Sequence, residues 1–286
     1  MDFNELQKHI NQVMHEQNTR SIPDFEGYSP EEMHHILNFT FGPKSPIKLQ
    51  KLSDAEYRKI PILNQIKYMA SRIQDQGEIK LTNKGFLPTK LVADIYHQGF
   101  LKDWDIENGI TKLYKESETM SVNITHILID LSGITKKRNG KISLTKTGEK
   151  IIGDNYKLLK TILETFTTKF NWAYYDGFGD NQIGQLGFGF TLILLSKYGK
   201  KKRPDAFYAE KYFKAYSNLK ETIHPSYDTV DNVSKRCYSL RTFDRFLDYF
   251  GVINIEQTGH RFNDEKYITK TALFDKLIKV EPHKTR

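Results

Sequence analysis

The sequence predicts an α+β fold, mainly α, in which helices alternate with short β-hairpins, and three observations predict it. A phrase recurs: Gly140–Gly148 (GKISLTKTG) is echoed at Glu78–Gly85 (EIKLTNKG) and at Lys266–Thr271 (KYITKT). In every copy a short apolar strand runs into a Thr able to cap a following helix. Two of the copies also follow a helix closed by Gly and the first arm of a hairpin. That order, helix, hairpin, helix start, describes winged-helix-like units, preceded here by an N-terminal helical arm.

The elements follow in chain order. Phe3, Leu6, Ile10, Val13 and Met14 fall at helical spacing over the first eighteen residues, an amphipathic helix with a stripe to bury. Ser29 and Pro30 supply the cap and first position of a short helix over Glu31–Asn38, inside a Pro-, Gly- and Ser-rich arm that either folds back on the body or reaches a partner. A helix over Ile62–Ile73 ends near Gly77, and Pro88 opens another over Thr89–His97.

Ile124, Ile127, Leu128 and Leu131 sit at i, i+3, i+4 and i+7 ahead of Gly133, the clearest helix in the chain. Asn139-Gly140 then sets a two-residue hairpin, because a type I′ turn needs positive φ at both positions. Further helices are predicted over Tyr156–Phe170, Leu186–Tyr198 and Ala206–Leu219, around a Gly and aromatic stretch at 172–189. Phe243, Phe246, Leu247 and Phe250 repeat the stripe before Gly251, and Val252–Glu256 pairs with Lys266–Thr269 across a loop at Gln257–Glu265. The expected organisation is an arm and linker at 1–50, two winged-helix-like units at 51–153, and a helical segment with a third unit at 154–286.

Composition bounds the rest. With 286 residues, 38% of them apolar, the chain can bury a sizeable core. Its one cysteine, Cys237, allows no internal disulfide framework, and no signal-like or membrane-spanning stretch occurs, so a cytoplasmic address without a membrane partner is expected. Residues 1–32 hold seven acids against Lys8 and Arg20, a net of −5 within a total of +8, which leaves +13 for the remainder. A positive body concentrates polyanions, although colloidal stability alone also accounts for such a charge.

A resemblance adds to this reading. The segments IKLTNKGFLP (79–88), KISLTKTG (141–148) and FNWAYYDG (170–177) resemble the winged-helix-like region of proteins in the plasmid pRiA4b ORF-3 and SEC-C-containing group. The resemblance spans residues 60–152 and 170–252 and implies a fold and a mobile-element setting, not a reaction. The cysteine-rich zinc tail of SEC-C proteins has no counterpart here, since Cys237 stands alone.

Catalytic signatures are missing. The chain has no phosphate-loop or nucleophile-elbow motif, and glycines 177, 179, 184, 187 and 189 do not match the dinucleotide fingerprint. They read as a turn packed by Trp172, Tyr174, Tyr175 and Phe178. Asp176 and Asp180 fail the spacing of a calcium loop; adjacent His34 and His35 point apart on a helix, and His224 and His260 lack neighbouring ligands. Cys237 follows Lys235 and Arg236, which would favour a thiolate, but a buried inert thiol is the commoner case. No enzyme activity, cofactor or metal is expected.

Basic clusters remain. Residues 134–150 carry Lys136, Lys137, Arg138, Lys141, Lys146 and Lys150 against Glu149, a net of +5 concentrated on a hairpin. Lys200, Lys201, Lys202 and Arg203 follow a helix C-terminus, where they also complement the helix dipole. Arg241 and Arg245 lie four apart with Asp244 and Asp248 interleaved, a pattern that equally describes a salt-bridged surface. The helix before the Asn-Gly hairpin offers Asn123, Thr125, His126 and Asp130 as its exposed positions, with no Arg or Lys to read a base.

The expected function is therefore nucleic-acid binding, DNA first, weakly specific, through backbone contacts by these residues. The alternative is a non-catalytic protein-interaction module that docks a partner through the N-terminal helix. Oligomeric state is not legible in the sequence.

Overall fold

The computed structural model describes residues 2–258 and 265–283. The tip of the expected third hairpin, including His260, lies outside the described residues. The fold is α+β and mainly α, with three small antiparallel sheets.

The chain begins with α1 (Phe3–Thr19), α2 (Pro30–Asn38), β1 (Ile47–Leu49) and α3 (Asp54–Tyr57). Then come α4 (Pro61–Gln76), β2 (Ile79–Lys80), α5 (Thr89–His97), α6 (Trp104–Glu107) and α7 (Met120–Leu131). A hairpin of β3 (Thr135–Arg138) and β4 (Lys141–Leu144) leads into α8 (Lys146–Ile152) and α9 (Asn155–Thr168). After a long loop follow α10 (Phe188–Tyr198), β5 (Arg203–Pro204), α11 (Asp205–Ala215) and α12 (Val230–Ser239). A π-helical segment, Leu240–Leu247, continues α12, and β6 (Ile253–Thr258), β7 (Glu265–Lys270), α13 (Ala272–Leu277) and β8 (Ile278–Val280) complete the chain.

Two compact units emerge, and their boundaries differ from those the sequence suggested. One holds residues 1–50, 172–248 and 252–286; the other holds residues 51–171 and 249–251. The first fifty residues are no separate arm, because β1 pairs with β8, Ile47 facing Val280 and Leu49 facing Ile278. Helix α9 belongs with the central unit rather than with the C-terminal half. Within the terminal unit α1 buries no residue, and Phe3 is 76% exposed, so the predicted stripe exists but is uncovered.

The central unit runs α4, β2, α5, α7, β3, β4, with α6 inserted, and its strand order is β2-β4-β3. Ile79 pairs with Ile142 and Lys80 with Lys141. The first two copies of the repeated phrase are therefore neighbouring strands of one sheet, not two units as expected. Ile62, Ile66, Met69 and Ile73 of α4 and Leu158, Leu159, Ile162 and Phe166 of α9 supply core faces at helical spacing. Ile62 N–H donates to the Tyr249 carbonyl at 2.9 Å, and the Phe250 ring lies edge-on to Phe166, which accounts for the return of 249–251 to this unit.

The terminal unit repeats the connectivity: α10, β5, α11, α12, β6, β7, with strand order β5-β7-β6. Its core is aromatic. Tyr208, Tyr212, Tyr238 and Phe243 are fully buried, with Tyr212 and Tyr238 rings 4.5 Å apart. Of these hydroxyls, those of Tyr212 and Tyr238 find partners within the core, whereas Tyr208 Oη is buried without one among the described residues. Tyr212 O–H donates to the Leu186 carbonyl at 2.6 Å, and Thr191 and Tyr238 hydroxyls meet at 2.8 Å.

Candidate nucleic-acid interface

The Asn139-Gly140 turn forms as its residues dictate, with φ of 51° and 68°. Register then decides which side chains share a face. Thr135, Ile142, Leu144 and Ile79 are buried, while Lys136, Arg138, Lys141 and Lys80 are exposed. Arg138 faces Lys141 directly, and Lys141 faces Lys80. Three like charges therefore stand in one row across three strands, with Lys136 two residues from Arg138 on the same face. Lys80 is the residue that sequence reasoning missed; its signal was there, an alternating Ile79-Lys80 pair, but its neighbours lie about sixty positions away.

The charge on this face is little neutralised. Lys141 pairs with Glu78, at 45% and 54% side-chain exposure, a surface pair that contributes little. Lys137 points to the other face and binds Asp130 at 2.7 Å. Lys136 and Arg138 have no carboxylate partner among the described residues, and Lys146 and Lys150 on α8 are likewise exposed.

The hairpin is tied to α8 by the Thr-Lys-Thr-Gly of the phrase, Thr145–Gly148. Thr145 Oγ1 donates to the Gly133 carbonyl at 2.9 Å and accepts from Gly148 N–H at 2.8 Å. A Cβ at Gly148 would lie 2.1 Å from the Ile134 carbonyl oxygen, so only glycine lets helix and strand approach this closely.

Helix α7 precedes the hairpin, and the structure corrects its expected exposed face. Asn123, Thr125 and His126 are buried. Glu116, itself buried, accepts from Asn123 Nδ2 at 2.8 Å and lies 2.8 Å from His126 Nδ1, while Gln65 Nε2 donates to Thr125 Oγ1 at 2.9 Å. A helix enclosed this way has no polar face to enter a groove.

The arginines predicted on the third hairpin unit are elsewhere too. Arg241 is fully buried, paired with the equally buried Asp176. Its Nη1 donates to Asn181 O at 2.8 Å and Oδ1 at 2.7 Å, and its Nη2 to Gly179 O at 3.0 Å. Arg245 donates to the carbonyls of Tyr174 and Tyr175. Both side chains hold the 172–187 loop; Arg241, fully buried, is not available to nucleic acid, and Arg245 is half-buried. The π-helical turn is the reason: Asp248 N–H bonds Phe243 O five residues back, and the four-residue spacing no longer marks one exposed face. Of the glycines read as a packed turn, Gly184, Gly187 and Gly189 are closely packed, a Cβ at Gly187 lying 2.5 Å from the Tyr216 ring, whereas a Cβ at Gly177 or Gly179 would meet nothing within 4 Å and Tyr175 is exposed.

Of the other basic run, Lys200 and Lys201 are exposed, Lys202 binds Glu256 at 2.5 Å, and Arg203 is half-buried over the Phe207 ring. Cys237 is fully buried and burial pushes its thiol up to about 12, which removes it as a nucleophile at neutral pH. Among the described residues no group of three or more His, Cys, Asp or Glu could hold a metal, and no helix is long and apolar enough to cross a membrane.

No curated protein and no solved structure matches the chain. Residues 58–157, which contain the charged sheet and α7, match the model of the Y4jL N-terminal domain.

Proposed function

We propose that this is a cytoplasmic, non-catalytic nucleic-acid-binding protein built on two winged-helix units, and that it holds DNA by its backbone. The connectivity supports the winged-helix reading, since a helix, strand, helix, helix, hairpin order with the first strand beside the last occurs twice. One observation carries the binding reading: the row Lys80, Lys141, Arg138 with Lys136 beside it on the solvent face of one sheet. Like charges directly opposed across strands destabilise a sheet, and a line of phosphates removes that cost. The burial of α7 supports weak specificity, because backbone contacts position without reading sequence. A gel-shift series at low salt tests it: duplex binding that falls when Lys136 and Arg138 become Ala supports the reading, and no binding, or no loss in the variant, refutes it.

A second reading, protein docking, is favoured by the uncovered stripe of α1, where Phe3, Leu6, Ile10, Val13 and Met14 are 76%, 45%, 41%, 36% and 56% exposed. Sedimentation velocity tests it between copies: self-association abolished by Ile10→Asp supports docking there, and a monomer at every concentration opposes it.

A further inference from the structure

A cation cluster in the terminal unit is filled by the chain's own carboxylate. Glu26 is 8% exposed; its Oε2 accepts from Lys197 Nζ at 2.6 Å and Tyr198 O–H at 2.5 Å, and its Oε1 from Lys211 Nζ at 2.5 Å. Arg203 completes the cluster: its Cζ lies 4.5 Å from the Phe207 ring and 5.7 Å from the Tyr198 ring. Lys211 Nζ lies over the same two rings, at 5.5 and 4.7 Å, and the rings meet edge to face at 5.2 Å. Lys197 and Lys211 thus share one carboxylate, and Lys211 and Arg203 share the two aromatic rings. The Arg203 guanidinium has no hydrogen bond or ion pair among the described residues, and its Nε is buried without a partner. Such a group is costly to bury unless an anion pairs with it.

The loop that supplies Glu26 is a self-closed turn. Its backbone closes on itself, Gly27 N–H to Ile22 O at 3.0 Å and Glu26 N–H to Pro23 O at 3.0 Å, and Ser21 Oγ donates to Gly27 O at 2.8 Å. Tyr28 anchors the far side by donating to Glu281 O at 2.6 Å. Glu26 itself is held at φ 57°, ψ 24°, a left-handed conformation that L side chains rarely adopt, at the point where its carboxylate enters the cluster. A loop shaped only for its own packing would carry glycine or asparagine there.

We propose that Lys197, Arg203 and Lys211 form a binding site for a phosphoryl group, and that the 22–28 loop gates it by placing Glu26 in the phosphate's position. A doubly charged phosphoryl group balances the two positive charges that one carboxylate leaves over, and planar guanidinium recognition of its oxygens satisfies Arg203. The occupant is either a small phosphate ester or a nucleic-acid backbone, which share this chemistry.

The test is calorimetric titration of the whole chain with pyrophosphate and, separately, with a short single-stranded DNA at low salt. Glu26→Gly suits the left-handed backbone and removes the gate; it should bind one of these ligands more tightly than the native chain, by about tenfold if the native gate stands open about a tenth of the time. Adding Arg203→Met should abolish the gain. Gain for pyrophosphate alone assigns a small phosphate, and gain for the oligonucleotide alone assigns a backbone. No gain with either ligand, or a gain that survives Arg203→Met, overturns the proposal. Glu26→Gln, which keeps the side chain, should show a smaller gain with the same dependence on Arg203 and serves if the glycine variant unfolds. Dependence on Arg203 assigns a gain to this site, and dependence on Lys136 and Arg138 assigns binding to the charged sheet of the central unit, so this site and the DNA reading fail separately.

Discussion

Replacing Arg241 by Met would remove a cation that the structure places at 0% exposure, leaving Asp176 buried and charged without its partner. Breaking a buried pair from one side costs about 3–5 kcal/mol, because the remaining charge is uncompensated. The carbonyls of Asn181 and Gly179 lose donors as well, so the upper end of that range is expected. Asp176→Asn should cost nearly as much, and the double variant far less than the sum, since the pair is then absent rather than broken. The assay is urea unfolding in a Trp104→Phe background, where Trp172, 2% exposed and 4.8 Å from the Phe246 ring, reports on the terminal unit. Additive single effects, or single effects below about 1 kcal/mol, would refute the clamp. So would loss of DNA affinity in Arg241→Met with unfolding unchanged.

Three further outcomes are expected. Gly148→Ala should destabilise the central unit by about 3 kcal/mol or more, measured by thermal unfolding, because the methyl meets the Ile134 carbonyl at 2.1 Å. Burial raises the Asp103 carboxyl to about 6 despite the Ser121 N–H bond, so its folded form is proton-favouring; its contribution is fully present below the ordinary carboxylate pKa and lost as pH rises through about 6. Melting temperature between pH 4 and 7 should therefore decline less in Asp103→Asn than in the native chain. Cys237 should resist a thiol reagent at neutral pH and react fully in urea, since its sulfur is buried.

How much of this was legible in the sequence depends on how local each interaction is. The Asn139-Gly140 turn, the Ser29 cap and the Gly133 stop rest on neighbouring residues and form as read. The apolar stripe of α7 was visible too, but its polar side was misread. Asn123 and His126 are buried because Glu116 answers them, and Thr125 because Gln65 does, sixty residues away. Polar letters signal exposure only while their partners are unknown.

The same non-locality hid the sheet. Two similar phrases suggested two units, whereas β2 and β4 are one ladder, and only the pairing Lys80 with Lys141 reveals the charged row. Arg241 and Arg245 failed as surface residues because a π-helical turn, which no spacing rule anticipates, turns them onto a loop. Lys136, Arg138 and Lys141 sit on a hairpin whose geometry is local, and they are exposed as predicted.

If this sheet holds a phosphate backbone, the salt dependence of duplex affinity is where its charge is read. Each phosphate contact contributes about 0.9 to the slope of log K against log salt. With Lys80, Lys136, Arg138 and Lys141 all changed to Gln, the slope should fall by about 3 to 4, uniformly across DNA sequences. An unchanged slope in that variant would mean that the sheet does not contact the phosphates.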